Sequence, residues 1–340
     1  MYISQVASQS ELCYIVTGSI HFCGKRAFVL TSTGIRGAGR KKLLRRILTD
    51  WQLYLFMLPG LAYYICLEYG PIYGLQIAFK NYSPAKGIWG SKWIGLAQFE
   101  RFFRSAYFGA TIVNTLRLSI ISLFVGFSLP VLFALMLNEM RCKPFRDLVK
   151  TVSYAPHFIS VVVIVGVLRL FVTPSTGIIN HIIAALGGER IAFFQESRWF
   201  APMYVISGIW QELGWNSMIY IAALSSVDPT LHEAAIIDGA NKVQRIWHVN
   251  LPVLRPTIVV LLILNCGQLL NVGYEKVLLM QTDTNLTASE IISTYVYKAG
   301  LINAEFSFSA AVNLFNSIVN CVLLITVNTI TSKLDDTSLW

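Results

Sequence analysis

Six long stretches of apolar residues lie between positions 51 and 332 of the chain, and each is almost free of charged side chains. An α-helix needs about 20 apolar residues to cross the hydrocarbon layer of a membrane. The pattern therefore predicts an all-α integral membrane protein with six transmembrane helices. The predicted spans are Trp51–Phe79, Leu118–Leu137, Thr151–Val172, Phe200–Ala223, Thr257–Tyr274 and Phe306–Ser332.

Two segments between the spans repeat their apolar residues at helical spacing. One is Ile178–Leu186, between spans three and four, and the other lies between spans one and two and contains Trp93, Leu96, Phe99, Phe102 and Phe103. Such amphipathic segments are typical of helices that lie along a membrane surface, and equally of helices that cap the ends of a bundle. We expect amphipathic outer helices at both places.

Basic residues are concentrated before the first span. Residues 1–50 contain eight Lys or Arg against two acidic residues, and this basic run ends directly before the apolar stretch at Trp51. That position is typical of a cytoplasmic anchor beside a lipid bilayer, and no nucleic-acid partner is expected. We therefore predict a basic cytoplasmic N-terminal segment 1–50, a membrane domain 51–340, and both termini in the cytoplasm.

The composition argues against a soluble enzyme. Hydrophobic residues occupy 55% of the 340 positions and charged residues only 13%, whereas soluble domains carry about a quarter charged residues. No GxxxxGK[ST] sequence is present, so the chain is not expected to hydrolyse ATP itself. The five histidines form neither HxxxH nor HExxH, and the six cysteines form no CxxC. We predict no catalytic residue, no metal site and no bound cofactor.

The connection after span four, residues 226–252, carries signals for a short helix with both ends marked. Asp228 is a good N-cap residue, Pro229 suits the first helical position, and Gly239 can adopt the left-handed turn that ends a helix. A second helix is expected to begin near Asn241, which makes the connection an elbow. Its small side chains allow close approach of another surface, so the elbow is predicted to dock to a partner protein.

The spacing within this elbow resembles the signature of the membrane-spanning permease subunits of bacterial ABC importers. That signature reads EAA, three residues, G, nine residues, then I or V, any residue, L and P. This chain has Glu233-Ala234-Ala235, then Gly239, and after nine residues Val249-Asn250-Leu251-Pro252. Further segments within residues 41–340, such as Ile209-Trp-Gln-Glu-Leu-Gly-Trp, look like the carbohydrate-uptake branch, and most like polysaccharide permeases of the LplB type.

The resemblance implies several partners for the chain. The elbow would be a coupling helix seated in a dimer of cytoplasmic ABC ATPase subunits, which would use ATP and Mg²⁺. A second homologous permease would complete the pore, and an extracytoplasmic solute-binding protein would deliver an oligosaccharide across the bacterial plasma membrane. The coupling residues implied by the match are Glu233, Ala234, Ala235, Asp238, Gly239, Leu251 and Pro252.

Polar residues within the spans are candidates for a substrate path, because burying them in a membrane is costly. Amide groups and aromatic rings suit the hydroxyl groups and C–H faces of a sugar. Asparagines in membrane helices also bond neighbouring helices, and this alternative stays open. The candidates are Asn271, Tyr274 and Glu275 near span five, Asn313, Asn316 and Asn320 in span six, and Glu212 in span four.

Two further alternatives remain from the sequence. A stand-alone secondary transporter or channel would fit the hydropathy, although it predicts inverted repeats and intramembrane ion relays that the sequence lacks. Arg117, Arg169 and Lys276 lie near the outer ends of the spans, where they fit an anionic, uronate-type saccharide. They fit equally well as long side chains that reach the membrane interface.

Overall fold

The computed structural model describes residues 51–334 of the chain. The predicted basic segment 1–50 lies outside the described residues, as do residues 335–340. The chain divides into two compact units, and the division falls between Ala97 and Gln98.

The described part of the first unit begins with a 29-residue helical stretch, Trp51–Phe79, that matches the first predicted span. Its conformation changes along its length, from α1 and a π-helical turn to α2 and a 3₁₀ segment. The remainder contains a short helix α3 and two short strands, β1 and β2, that pair antiparallel. The elements are α1 Trp51–Tyr63, Tyr64–Tyr69, α2 Gly70–Ile72, Tyr73–Phe79, β1 Lys80–Asn81, α3 Gly87–Gly90 and β2 Lys92–Trp93.

The described chain is mostly helical, as the pattern predicts, and these two short strands depart from the expected outer helix. Trp93 lies in β2, where its ring stacks on Phe79 at a centroid distance of 5.7 Å. The helix of this region begins only at Ala97, because the turn at Gly95 has a φ of +62°, outside the helical region.

The second unit contains the other described helices, apart from the boundary residue Ala97, at which the first of them begins. They are α4 Ala97–Phe103, α5 Phe108–Asn138, α6 Lys143–Tyr154, α7 Val161–Val172, α8 Ile178–Ala185, α9 Ser197–Leu224, α10 Pro229–Ile237, α11 Lys242–Arg245, α12 Leu251–Cys266, α13 Tyr274–Met280, α14 Leu286–Ser289, α15 Ile292–Tyr297 and α16 Phe306–Leu334. A π-helical turn, Ile246–Asn250, joins α11 to α12, and another, Lys298–Ile302, follows α15.

Within residues 51–334, four helical stretches are long and apolar enough to cross a membrane, or five if one bent pair counts as a single span. The chain is therefore a multi-pass membrane protein. The second and sixth predicted spans lie within α5 and α16. Helix α9 contains the fourth predicted span and has 28 residues, but it does not belong to the apolar set.

The third predicted span is wrong as a continuous helix. Helices α6 and α7 meet at an angle of 101°. The 3₁₀ turn Ala155–Phe158 lies between them, and Ser160 then adopts an extended conformation. The Ser160 hydroxyl accepts a hydrogen bond from the Val163 N–H, so it starts a new helix instead of continuing the old one.

The fifth predicted span, Thr257–Tyr274, has both ends displaced. The apolar stretch runs over Lys242–Cys266, and turns then separate Cys266 from α13. The Leu270 N–H donates to Asn320 Oδ1 at 3.0 Å, which stabilises the turn from the neighbouring helix α16. Hydropathy alone cannot register this break, because the residues of the turn are themselves largely apolar.

Candidate functional site

The elbow begins with helix α10, and its predicted cap is present. The Thr230 N–H donates to Asp228 Oδ1 at 2.9 Å, and Pro229 occupies the first turn. This backbone hydrogen bond holds the pKa of the Asp228 carboxyl below its usual value. Because the folded-state pKa is lowered, the cap contributes stability at neutral pH and loses it on acidification through that pKa.

Helix α10 ends in a left-handed turn at Gly239. Its φ is +77°, and the Ala240 N–H donates to the Ala235 carbonyl at 2.9 Å, which is the hydrogen bond of a Schellman motif. The next helix then starts at a capping box formed by Asn241 and Gln244. The chain therefore turns between the two helices, and hydrogen bonds hold the backbone on both sides of the turn.

The outer surface of α10 is open. Glu233, Asp238 and Gly239 are exposed, and Ile236 and Ile237 expose 56% and 85% of their surface. Exposed isoleucines on a short surface helix are typical of a contact surface. Sequence reasoning selected the alanines of this helix and missed these two isoleucines, although the apolar pair next to the EAA triplet was a visible signal.

The inner side of the elbow is anchored to the membrane helices. Arg245 of α11 lies 3.6 Å from Glu139, the residue that follows α5, and both side chains are largely buried. An apolar cluster adjoins this ion pair and contains Leu254 of α12 together with Val131, Ala134, Leu135, Tyr220 and Leu224. Leu251 and Pro252 occupy the first turn of α12, directly after the π-helical turn. The elbow is therefore connected to three long helices.

A separate group of polar residues lies on α9 and on the 3₁₀ turn before α7. His157 Nδ1 donates to Glu212 Oε2 at 2.9 Å, and the His157 ring stacks on Trp215 at a centroid distance of 4.2 Å. Gln211 Nε2 donates to the Ile159 carbonyl at 3.1 Å. The predicted polar residue Glu212 thus has a partner, which the sequence did not identify because His157 lies 55 positions away.

The structure brings together three of the candidate asparagines. Asn316 and Asn320 of α16 donate from their amides to Asn271 Oδ1 at 3.0 and 3.2 Å. The side chains of Asn316 and Asn320 are buried, whereas Asn271 is exposed. These contacts connect the turn after α12 to helix α16.

The other candidates are more exposed. Asn313 is exposed on α16 and makes no hydrogen bond among the described residues. Tyr274 stacks on Tyr297 at a centroid distance of 5.6 Å and leaves 39% of its surface open, and Glu275 is exposed beside it. The exposed faces of these side chains are available to a ligand or to another protein.

Comparison with known proteins connects this architecture to a family. Residues 126–334 match the family described as binding-protein-dependent transport system inner membrane component. Protein LplB of Bacillus subtilis (strain 168) is 42% identical over 291 residues, which cover 86% of this chain and 92% of that protein. The chain belongs to this family. The match includes the elbow and the helices on either side of it.

Two other similar proteins are named for the transport of polysaccharides. The polygalacturonan/rhamnogalacturonan transport system permease protein YteP of Bacillus subtilis (strain 168) is 42% identical over 301 residues, covering 88% of this permease and 94% of that protein. A bacterial alginate ABC transporter, solved in complex with an alginate pentasaccharide-bound periplasmic protein, gives a TM-score of 0.81 at 38% identity. That similarity covers 88% of this permease and 100% of the matched chain.

The ion pair at the base of the elbow provides a first test of this permease. We expect Glu139→Gln and Arg245→Met each to lower the free energy of unfolding by about 1–2 kcal/mol, since each leaves a largely buried charge unpaired. Both variants remove the same interaction, so the double variant should lose less free energy of unfolding than the sum of the two single losses. Chemical denaturation of the purified protein in detergent measures all four forms.

The matched control is the exposed ion pair between Glu100 and Arg104, whose side chains are 60% and 80% exposed. Glu100→Gln should change the free energy of unfolding by less than about 0.5 kcal/mol, because exposed pairs are strongly screened. Additive losses at Glu139 and Arg245 would show that this contact contributes nothing to the anchoring of the elbow.

Proposed function

We propose that this permease forms half of the translocation pathway of an ATP-driven, binding-protein-dependent importer of oligosaccharides. Its similarity to LplB, to YteP and to a chain of the alginate transporter supports this function. The relatives are transport permeases, and in the same way this chain moves its substrate without altering it. It binds no cofactor itself, and ATP and Mg²⁺ act in its partner subunits.

The observation that carries the proposal is the open helix α10 with its EAA sequence. A short helix with exposed Glu233, Ile236 and Ile237 and a defined left-handed end would sit in a groove of another protein. We assign this groove to a dimer of cytoplasmic ABC ATPase subunits. Closure of the ATPases would move the elbow, and the anchored helices α5, α9 and α12 would follow.

The proposed topology has six spans with both termini in the cytoplasm. Four of these spans are the apolar stretches. The other two are the bent pair of helices α6 and α7, and helix α9. A helix of 28 residues is about 42 Å long, which is enough to cross the membrane despite its lower hydropathy. Its polar side chains would then face a path or a partner and not lipid.

Two further partners complete the proposed importer. A second homologous permease would cover the exposed helix faces and close the path between the two subunits. An extracytoplasmic solute-binding protein would dock on the outer segments, and the solved alginate transporter, which is in complex with a periplasmic protein, supports such a partner. The path residues of the proposal are Asn271, Tyr274, Glu275, Asn313 and Glu212. Asn316 and Asn320 hold the side chain of Asn271 through hydrogen bonds.

The decisive experiment compares ATP hydrolysis by the purified complex with and without its binding protein loaded with oligosaccharide. We expect loaded binding protein to stimulate hydrolysis, and Glu233→Ala to reduce that stimulation at least about five-fold. The physical reason is that the variant removes a carboxylate from the docking surface without touching the spans. Reconstitution in lipid nanodiscs allows ATP hydrolysis with and without the loaded binding protein to be assayed on the same preparation.

Asp147→Ala is the matched control, because Asp147 is an exposed carboxylate on α6 outside the elbow. It should leave the stimulation within about two-fold of the wild type. If no ATPase copurifies and uptake follows an ion gradient, the importer function is wrong and the secondary-transporter alternative takes its place.

A further inference from the structure

Two lysines among the described residues are buried to the same degree, with only 8% of their surface exposed. Lys80 is satisfied, since its Nζ donates to the Ile88 carbonyl at 2.8 Å. Lys276, on α13, makes no hydrogen bond and no ion pair within residues 51–334. A buried ammonium without an acceptor is costly, so its retention needs a physical reason.

The Lys276 ammonium lies against one face of α9. Its Nζ is 5.1 Å from the centroid of the Tyr204 ring, and a methyl group built on Gly208 would lie 3.4 Å from it. Tyr204, Gly208 and Glu212 are spaced four residues apart and therefore share this face. The three positions are half-buried, so the face is accessible from outside the protein core.

Burial lowers the pKa of the Lys276 ammonium, and the acidic group that opposes this electrostatically is Glu212. Its carboxylate lies beyond ion-pair distance of Lys276 and is instead bonded to His157 at 2.9 Å. The ring of His157 is in turn held by stacking on Trp215. Glu212 is therefore already engaged, and the ammonium keeps its hydrogen-bonding capacity for a group that comes from elsewhere.

The other basic residues of this region are satisfied by the protein. Arg169 Nη2 donates to the Leu279 carbonyl at 2.9 Å, and its guanidinium lies over the Phe194 ring. Lys298 Nζ lies 2.6 Å from Glu290 Oε2. Arg117, the third basic residue that the sequence predicts as a candidate for an anionic substrate, is exposed and not buried. Lys276 alone combines burial with an unsatisfied charge among these residues.

The ring of Tyr204 lies beside the Lys276 ammonium, and Tyr274 lies two residues before Lys276 in the chain. A methyl group built on Gly273 would lie 3.9 Å from the Tyr204 hydroxyl, so the segment that leads to Tyr274 passes beside Tyr204. Tyr274 itself stacks on Tyr297 and keeps part of its ring exposed. Ring faces next to a single unpaired cation match a sugar that presents both a C–H face and a carboxylate.

We propose that Lys276 binds the carboxylate of a uronate residue in the transported oligosaccharide, beside the α9 face of Tyr204, Gly208 and Glu212. This inference rests on the proposed import of oligosaccharides and adds the chemical class of the sugar. Recognition is by one charge-assisted hydrogen bond from Nζ, and the tyrosine rings contact the sugar ring. A neutral sugar of the same length would leave the ammonium unpaired and bind more weakly.

The test uses radiolabelled trigalacturonate and its carboxyl methyl ester, which has the same rings without the charge. Equilibrium dialysis measures binding of each to the intact transporter complex in nanodiscs, without the solute-binding protein. We expect the wild type to bind the acid at least about ten-fold more tightly than the ester. Lys276→Met should remove this preference and leave binding of the ester unchanged, whereas Lys276→Arg should retain most of it.

Lys298→Met is the matched control, because it removes a lysine that is already paired with Glu290. It should leave the preference for the acid intact. A Lys276→Met complex that keeps the preference would assign the lysine a purely structural role and overturn the inference. If this variant fails to assemble, the wild type decides the question, since equal binding of acid and ester also overturns it.

Uptake by proteoliposomes containing the same complex separates this inference from the proposed function. A wild-type complex that imports neither saccharide, when supplied with ATP and loaded binding protein, overturns oligosaccharide import and the uronate site together. A wild-type complex that imports both, while Lys276→Met keeps the wild-type preference, overturns only the uronate site.

Discussion

Replacement of Gly239 by valine is expected to reduce ATP-driven uptake at least about ten-fold while the complex still hydrolyses ATP. Gly239 has a φ of +77°, and a β-branched residue there is strained by about 1–2 kcal/mol. The strain lies in the turn that ends helix α10, where the Ala240 N–H donates to the Ala235 carbonyl. We expect the helix end to unwind, so that movement of the ATPases no longer reaches α12.

Parallel assays of ATP hydrolysis and saccharide uptake in proteoliposomes measure this effect. Gly187→Val is the matched control, because Gly187 has a φ of +83° and ends helix α8 with the same type of hydrogen bond, from the Gly188 N–H to the Ile183 carbonyl. The control carries similar backbone strain away from the elbow and should keep hydrolysis coupled to uptake. Equal uncoupling by both variants would attribute the effect to general destabilisation.

The second large effect is expected at Gly214, where helix α9 touches α6. A Cβ atom at this position would lie closer than 3.0 Å to the backbone carbonyl of Ser153. Backbone cannot rotate away as a side chain can, so Gly214→Ala must separate the two helices. We expect a loss of about 3 kcal/mol in the free energy of unfolding and a lower yield of assembled complex.

Thermal unfolding followed by size-exclusion chromatography measures the stability of the Gly214→Ala protein. Gly126→Ala is the control, since Gly126 lies within helix α5 and a Cβ there meets nothing within 4 Å. That variant should unfold at the wild-type temperature or slightly above it, because alanine favours helix more than glycine does. Identical unfolding of the two variants would mean that α6 and α9 do not pack as closely as the structure indicates.

Much of the local structure follows from signals that extend over only a few residues. The cap at Asp228 and the left-handed end at Gly239 occur as predicted, because each depends on the immediate backbone. Helix α8 and the long helices α5 and α16 also lie where the apolar pattern predicts them. The family signature in the elbow is of the same kind, a fixed spacing within one short segment.

The two displaced spans have causes that hydropathy does not contain. The break at Ser160 replaces a continuous third span, because the serine caps α7 while the chain stays apolar on both sides. The end of α12 at Cys266 depends on Asn320, which bonds the Leu270 N–H from another helix. Asn271 therefore lies in a turn between helices and not within a span.

The features of the candidate site also fall into two groups, those that the sequence determines and those that only the packing of the helices decides. The sequence by itself determined the membrane class, the elbow and the polar positions of the spans, since burial cost and helix capping are properties of short segments. Only the tertiary structure decided that Glu212 is bonded to His157 and that Lys276 is left without an acceptor. Whether a buried charge is satisfied depends on which distant helix packs against it, and no local pattern carries that information.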